Sequence, residues 1–167
     1  EKDVNLAVVK ALQAQLEAAG ATVVLTREGD ETIPTRRERI EIAKAKCEVL
    51  GKECDVLVSV HHNGSSNPAT DGTLVIYNEK QDKPLAQALL NSLVAKLGTQ
   101  NLGLENGGFG ITVFGHLISA LTEGYFLTNN WEAEQYLFGT RKADEVQAIF
   151  DGLASYYSNP PRKGWGR

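Results

Sequence analysis

Residues 55–63 read Asp-Val-Leu-Val-Ser-Val-His-His-Asn, and residues 117–123 read Leu-Ile-Ser-Ala-Leu-Thr-Glu. Each stretch is a short, nearly uncharged apolar run, which is typical of a buried strand. Polar side chains end both runs, with His61, His62 and Asn63 in the first and Glu123 in the second. In open α/β sheets, ligands bind just outside the carboxyl ends of the strands. The two endings therefore predict one shared site.

Strand-like and helix-like segments alternate along the rest of the chain. Apolar residues at helical spacing predict helices over 2–19, 35–47, 83–97, 131–137 and 140–157. Apolar or β-branched runs predict strands over 22–26, 56–60, 73–77 and 118–122, with a short one over 111–113. The Gly- and Asn-rich residues 98–110 predict a long loop. This alternation predicts an α/β fold, a single layered domain with a mostly parallel twisted sheet flanked by helices.

The domain is expected to span residues 1–157, with residues 158–167 as a linker or tail because two prolines interrupt any helix there. The first helix follows no strand, so we expect one more strand upstream of Glu1. Thr35 and Glu38 have the spacing of a capping box at the start of the second helix.

Composition limits the functional classes. The 167 residues are 42% hydrophobic, which suits one domain with a proper core, and the net charge of −4 argues against a nucleic-acid partner. No apolar stretch approaches the roughly 20 residues of a membrane span. We expect a monomer. Cys47 and Cys54 are separated by six residues, which allows either a small disulfide or two free thiols; a disulfide would indicate an oxidising, extracytoplasmic compartment.

An imidazole and a carboxylate at neighbouring strand ends are the parts of a metal-assisted hydrolase. Because neighbours in a strand point to opposite faces, only one of His61 and His62 should reach the site of Glu123. Glu123 is either a general base with a raised pKa or a structural residue of the turn. Asn63 either positions a substrate amide or forms the turn with Gly64.

Two further residues are weaker candidates when taken alone. Glu1 lies at a helix start, where acidic residues are common because they complement the helix dipole. His116 follows Phe114-Gly115 in a predicted loop, and it is either a substrate contact or an ordinary loop histidine.

Several segments together resemble the zinc-dependent N-acetylmuramoyl-L-alanine amidases, which cleave bacterial cell-wall peptidoglycan. Glu1-Lys2-Asp3-Val4-Asn5-Leu6 looks like the opening helix of that family, and Val23-Val24-Leu25-Thr26-Arg27 looks like its second strand. Arg39-Ile40-Glu41-Ile42-Ala43 is similar to its Arg-x-x-x-Ala helix, and residues 59–63 are similar to its Ser-[Ile/Val]-His-x-Asn element. Residues 121–129 resemble its Val-Glu-x-Gly-Phe-[Leu/Ile]-Ser-Asn end.

The resemblance implies a site and a substrate. One Zn²⁺ would be held by Glu1, His61 and a further histidine from a Gly-His-Gly-Gly turn expected upstream of Glu1. Glu123 would be the catalytic general base. Apart from the resemblance, we expect Asn63, His62 and His116 to contact the substrate. The implied partner is peptidoglycan, which places the protein outside the cytoplasm, in the periplasm or cell wall. His62 departs from the family, which usually has alanine there.

Alternatives remain open at this point. The chain could be a catalytically inactive peptidoglycan-binding or regulatory domain of the same fold, distinguished by the lack of a histidine upstream of Glu1. It could also be another zinc amidohydrolase acting on small peptides, which a short closed pocket would favour. A Rossmann-type cofactor domain is disfavoured, because no Gly-x-Gly-x-x-Gly follows a strand.

Overall fold

The computed structural model describes residues 1–107 and 117–159, which contain five helices and four strands. The helices are α1 (Lys2–Ala18), α2 (Arg36–Val49), α3 (Lys83–Leu97), α4 (Asn130–Phe138) and α5 (Arg141–Ser158). The strands are β1 (Val56–Asn63), β2 (Thr73–Tyr77), β3 (Asn101–Asn106) and β4 (Ile118–Phe126). The predicted strand over 111–113 and most of the predicted tail lie outside the described residues.

The four strands form one sheet in the order β1-β4-β2-β3. β1 pairs parallel with β4, β2 pairs parallel with β3, and β2 pairs antiparallel with β4. Two of the three pairings are parallel, so the predicted α/β layered domain with a mostly parallel sheet is confirmed. The carboxyl ends of β1 and β4 lie side by side, which brings their terminal side chains together.

Helix α3 packs against β2, β3 and β4, and helix α5 packs against α3. Val75, Leu89, Ala120 and Ile149 are completely buried in this core. A Cβ atom on Gly152 of α5 would lie 3.0 Å from the Cα atom of Leu89, so the two helices approach closely only because this position lacks a side chain. Helix α1 packs against α5 and β1, which places its first turn beside the end of β1.

Two local predictions concern how α2 begins and how it is tied to β1. Thr35 and Glu38 form the predicted capping box, with reciprocal bonds of 3.2 and 3.1 Å. Cys47 and Cys54 form a disulfide that closes the turn between α2 and β1. The sequence had left a disulfide and free thiols equally open, and the structure selects the disulfide.

The strand predicted over residues 22–26 was wrong, since the structure has no strand there. A strand needs a hydrogen-bonded neighbour, and a cavity of about 820 Å³ lies between this segment and β1. The cavity also borders α1, α2 and the second half of α5. Because β1 is an edge strand, its backbone on the cavity side has no ladder partner among the described residues. The additional strand expected from the sequence would fit in this space, and it stays a prediction.

The loop predicted over residues 98–110 was wrong in part, because Asn101–Asn106 forms β3. This edge strand is polar and largely exposed, so it lacks the apolar signal of a buried strand. Pairing with β2 nonetheless satisfies its backbone. A bulge occurs where Asn101 and Gly103 face Thr73 and Leu74, and Gly103 adopts a φ of +94°, which glycine tolerates best.

Candidate active site

The candidate site lies where β1, β4 and the start of α1 meet. His61 on β1 is the register partner of Glu123 on β4, so their side chains lie on the same face of the parallel pair. Glu1, the N-cap of α1, completes the group, and its Oε1 atom lies 2.8 Å from Nδ1 of His61. The fold therefore brings together the three residues that sequence motifs at distant positions singled out.

The first turn of α1 is held in place by residues 27–30, which lie in the loop after the helix. Arg27 donates to the backbone carbonyl of Lys2 and to that of Gly29, while the Lys2 ammonium pairs with the Asp30 carboxylate. Residues 27–30 thereby anchor the helix start that carries Glu1.

Glu1 receives several hydrogen bonds as well as its contact with His61. The Asn5 side-chain amide donates to Glu1 Oε1 over 3.2 Å, and the backbone N–H of His62 donates to the same oxygen over 3.3 Å. Burial acts to raise the pKa of Glu1, but the bonds from Asn5, His61 and the His62 backbone outweigh it and leave the pKa below its usual value. Glu1 is therefore held as a carboxylate beside the imidazole of His61.

Glu123 has the opposite electrostatic environment. Its Oε2 atom is buried and has no hydrogen-bond partner within the part of the chain that the structure describes. On β2, the aliphatic residue Leu74 is its register partner. Burial, followed by repulsion from the Glu1 carboxylate, raises the pKa of Glu123 from 4.5 to about 7, although His62 acts in the other direction. A carboxyl group with such a pKa can take up and release a proton near neutrality.

The structure separates the two adjacent histidines, as strand alternation predicts. The side chain of His61 is 39% exposed, whereas that of His62 has no exposed surface. His62 Nδ1 lies 2.6 Å from Asn5 Oδ1, and Nε2 lies 3.0 Å from Glu145 Oε2. The predicted contact between His62 and a substrate is therefore corrected, because its ring faces the interior and both of its nitrogens are engaged there.

The other two predicted substrate contacts have different outcomes. Asn63 Oδ1 accepts a hydrogen bond of 2.8 Å from the backbone N–H of Gly64, so Asn63 forms the turn that was one of its two interpretations. Its contact with a substrate stays a prediction. His116 lies outside the described residues.

Sequence reasoning missed Asn5 and Glu145 as parts of this site. Asn5 is one helical turn after Glu1, a spacing that places two side chains on the same side of a helix. Glu145 is a completely buried carboxylate on α5, four residues before the buried Ile149. A charged residue within the apolar stripe of a helix was the available signal.

The donors at this site suit zinc, but they do not form a complete set. Carboxylate and imidazole groups are common zinc ligands, and a catalytic zinc usually has three protein ligands. Glu1 and His61 supply two such donors in contact with each other. Among residues 1–107 and 117–159, no group of three or more His, Cys, Asp or Glu side chains is arranged to hold a metal ion.

Comparison with known proteins identifies relatives of the whole domain. The family model Amidase_3, described as N-acetylmuramoyl-L-alanine amidase, matches residues 1–155. The N-acetylmuramoyl-L-alanine amidase LytC of Bacillus subtilis (strain 168) is 31% identical over 161 residues, covering 94% of this chain and 31% of LytC. The probable cell wall amidase LytH of Staphylococcus saprophyticus is 27% identical over 158 residues, covering 95% of this chain and 50% of LytH. The chain thus spans 31% of the length of one of these relatives and 50% of the other.

Solved structures show the same fold. The catalytic domain of CwlV, an N-acetylmuramoyl-L-alanine amidase from Bacillus (Paenibacillus) polymyxa var. colistinus, superposes with a TM-score of 0.83 at 26% identity. The N-acetylmuramoyl-L-alanine amidase AmiC2 of Nostoc punctiforme gives a TM-score of 0.83 at 27% identity. Each comparison covers 95% of this chain and 85% of the other.

Proposed function

Because this chain belongs to the N-acetylmuramoyl-L-alanine amidase family, we propose that it hydrolyses the amide bond between N-acetylmuramic acid and L-alanine in peptidoglycan. The observation that carries the proposal is the grouping of Glu1, His61 and Glu123 at the adjoining ends of two parallel strands. The two carboxylates have opposite environments, which suits one of them to bind a cation and the other to move a proton.

We propose that the protein works with one zinc ion, for which Glu1 and His61 supply two ligands. A third protein donor would complete the set, and we propose that it is a histidine upstream of Glu1. When bound, zinc would acidify a water molecule and polarise the carbonyl group of the substrate. The low pKa of Glu1 supports this assignment, since a metal ligand must be deprotonated.

Glu123 is the proposed general base. Its carboxylate accepts a proton from the attacking water and then donates that proton to the nitrogen of the leaving L-alanine. The pKa of about 7 supports both transfers, because neither protonation state of Glu123 is strongly disfavoured near neutral pH. The Oε2 atom of Glu123 is buried, which limits the access of bulk water to that oxygen.

The Cys47–Cys54 disulfide and the cell-wall relatives support action outside the cytoplasm. No described helix is both long and apolar enough to cross a bilayer. Periplasmic or cell-wall localisation and a monomeric state are part of the proposal.

The test measures zinc by elemental analysis and new L-alanine amino termini released from purified peptidoglycan. It uses this chain and a chain extended upstream by about one strand and turn. Glu123→Gln should keep zinc and reduce the rate about 10²–10⁴-fold, whereas His61→Ala should lose both zinc and activity. An extended chain that binds no zinc and releases no amino termini would refute the amidase proposal and favour a peptidoglycan-binding domain.

A further inference from the structure

A line of hydrogen bonds leads from the buried side of helix α5 to the exposed Glu1 carboxylate, and the proposed reaction does not use it. Glu145 on α5 contacts His62, His62 contacts Asn5, and Asn5 contacts Glu1, over distances of 3.0, 2.6 and 3.2 Å. The side chains of His62 and Glu145 are completely buried. Burying a carboxylate and an imidazole is costly unless they are paired, so this arrangement needs an explanation beyond filling the core.

The Asn5 amide group connects this line to the candidate site. Its Oδ1 atom accepts from His62 Nδ1, which leaves its Nδ2 group to donate to Glu1 Oε1. Without a donor at the position of His62, the amide could rotate and turn its oxygen towards the Glu1 carboxylate, where two acceptors would repel each other. His62 therefore determines which end of the amide Glu1 meets.

The His62 ring is in turn fixed by its surroundings. Glu145 Oε2 engages Nε2, and the Tyr125 ring packs edge-on against the imidazole with 4.6 Å between ring centroids. His61 pairs with Glu123 and Asn63 pairs with Phe126, so one residue of β1 lies opposite two residues of β4. Strand β4 therefore bulges at Gly124 and Tyr125. A Cβ atom on Gly124 would lie 3.0 Å from Glu145 Oε1, so the glycine leaves room for the carboxylate.

We propose that Asn5, His62 and Glu145 are positioning residues that hold the Glu1 carboxylate against His61. The proposal rests on the proposed function in that it takes Glu1 and His61 as the metal-binding pair. Groups that orient metal ligands from outside commonly change metal affinity by about 10–100-fold. The effect runs through Asn5, the only one of the three whose side chain contacts Glu1 in the described structure.

The sharpest test is Asn5→Asp. Aspartate has nearly the same shape and still offers an acceptor to His62, but it replaces the donor facing Glu1 by a second acceptor. In the chain extended upstream, the dissociation constant for zinc, measured by competition with a chromophoric chelator, should rise about 10–100-fold. The ¹⁵N resonances of the His61 ring should also shift in the metal-free protein. Asn91→Asp, at an exposed position of α3, is the matched control for the added charge.

A second pair of variants tests the far end of the line. Glu145→Gln keeps the shape and can donate to His62 Nε2, so the ring should keep its proton at Nδ1 and zinc affinity should stay within about threefold of wild type. Glu145→Leu removes the contact and should weaken zinc binding by about tenfold or more. A purely structural role of Glu145 would lower stability in the leucine variant but leave the zinc affinity and the His61 resonances of the folded protein unchanged.

The measurements distinguish a failure of the positioning role from a failure of the proposed function. Unchanged zinc affinity together with unchanged His61 resonances in Asn5→Asp would overturn the positioning role. An upstream-extended wild-type chain that binds no zinc, while Asn5→Asp still shifts the His61 resonances, would refute the proposed function and keep the positioning role. If Asn5→Asp does not fold, the contrast between the two Glu145 variants decides by the same two measurements.

Discussion

Replacing Glu123 by glutamine should stabilise the metal-free protein at alkaline pH. The folded structure raises the pKa of Glu123 from 4.5 to about 7, because the carboxylate is buried and repelled by Glu1. Between these two values the folded state binds more protons than the unfolded state, so stability falls as the pH rises. At about 1.4 kcal/mol per pH unit, this group should lower the free energy of unfolding by about 3 kcal/mol between pH 4 and pH 8. The side chain of glutamine does not ionise, so Glu123→Gln should abolish this fall in the free energy of unfolding.

The assay is urea denaturation of wild type and Glu123→Gln from pH 4 to pH 8.5, with a chelator present to remove metal. The difference in unfolding free energy between the two proteins should grow with pH and level off above about pH 8. Glu134→Gln, which removes an exposed carboxylate on α4, is the control for the change in net charge. A difference between wild type and Glu123→Gln that does not depend on pH would refute the account of a desolvated carboxylate.

Three further predictions concern stability. Replacing Cys47 and Cys54 together by serine should lower the free energy of unfolding by about 2.5 kcal/mol, the loop-closure value for a bridge across seven positions. Urea denaturation of the variant and of the oxidised wild type would measure this loss, and the reduced wild type should behave like the variant. Arg141→Met should cost about 3–5 kcal/mol, because it leaves Glu132 buried without the guanidinium that it now contacts at 2.5 and 2.6 Å; a loss below 1 kcal/mol in denaturant titration would contradict this. Thr35→Ala should cost about 1 kcal/mol through loss of the capping bond to α2, measurable as a small shift in thermal midpoint.

The predictable parts of the fold are those whose signal is local. The capping box at Thr35 depends only on residues within one turn, and it is present as predicted. The runs leading to His61 and Glu123 carry their own apolar signal, so β1 and β4 and their shared end followed from the sequence. Residues 22–26 carry the same signal, yet they form no strand, because strand formation depends on a neighbour that local sequence does not encode.

The candidate site was predictable where a motif marks it and unpredictable where packing creates it. Glu1, His61 and Glu123 each stand in a recognisable segment, and the structure brings them together. The inward orientation of His62 was only half predictable: alternation separates it from His61, but its partners come from α1 and α5. Glu145 is distant in sequence and meets His62 only through tertiary contact, so no periodicity could have paired them.

The position of β4 has a consequence for how the site moves. β4 is flanked by hydrogen-bonded strands on both sides, so the backbone around Glu123 should exchange its amide protons only when the sheet opens. Glu1, by contrast, precedes the first turn of α1, and helix ends fray on much shorter timescales. In this site, the backbone that carries Glu123 should therefore open slowly, whereas the helix end that carries Glu1 should open more rapidly. A cation held between Glu1 and His61 should slow hydrogen exchange in the first turn of α1 and leave that of β4 nearly unchanged.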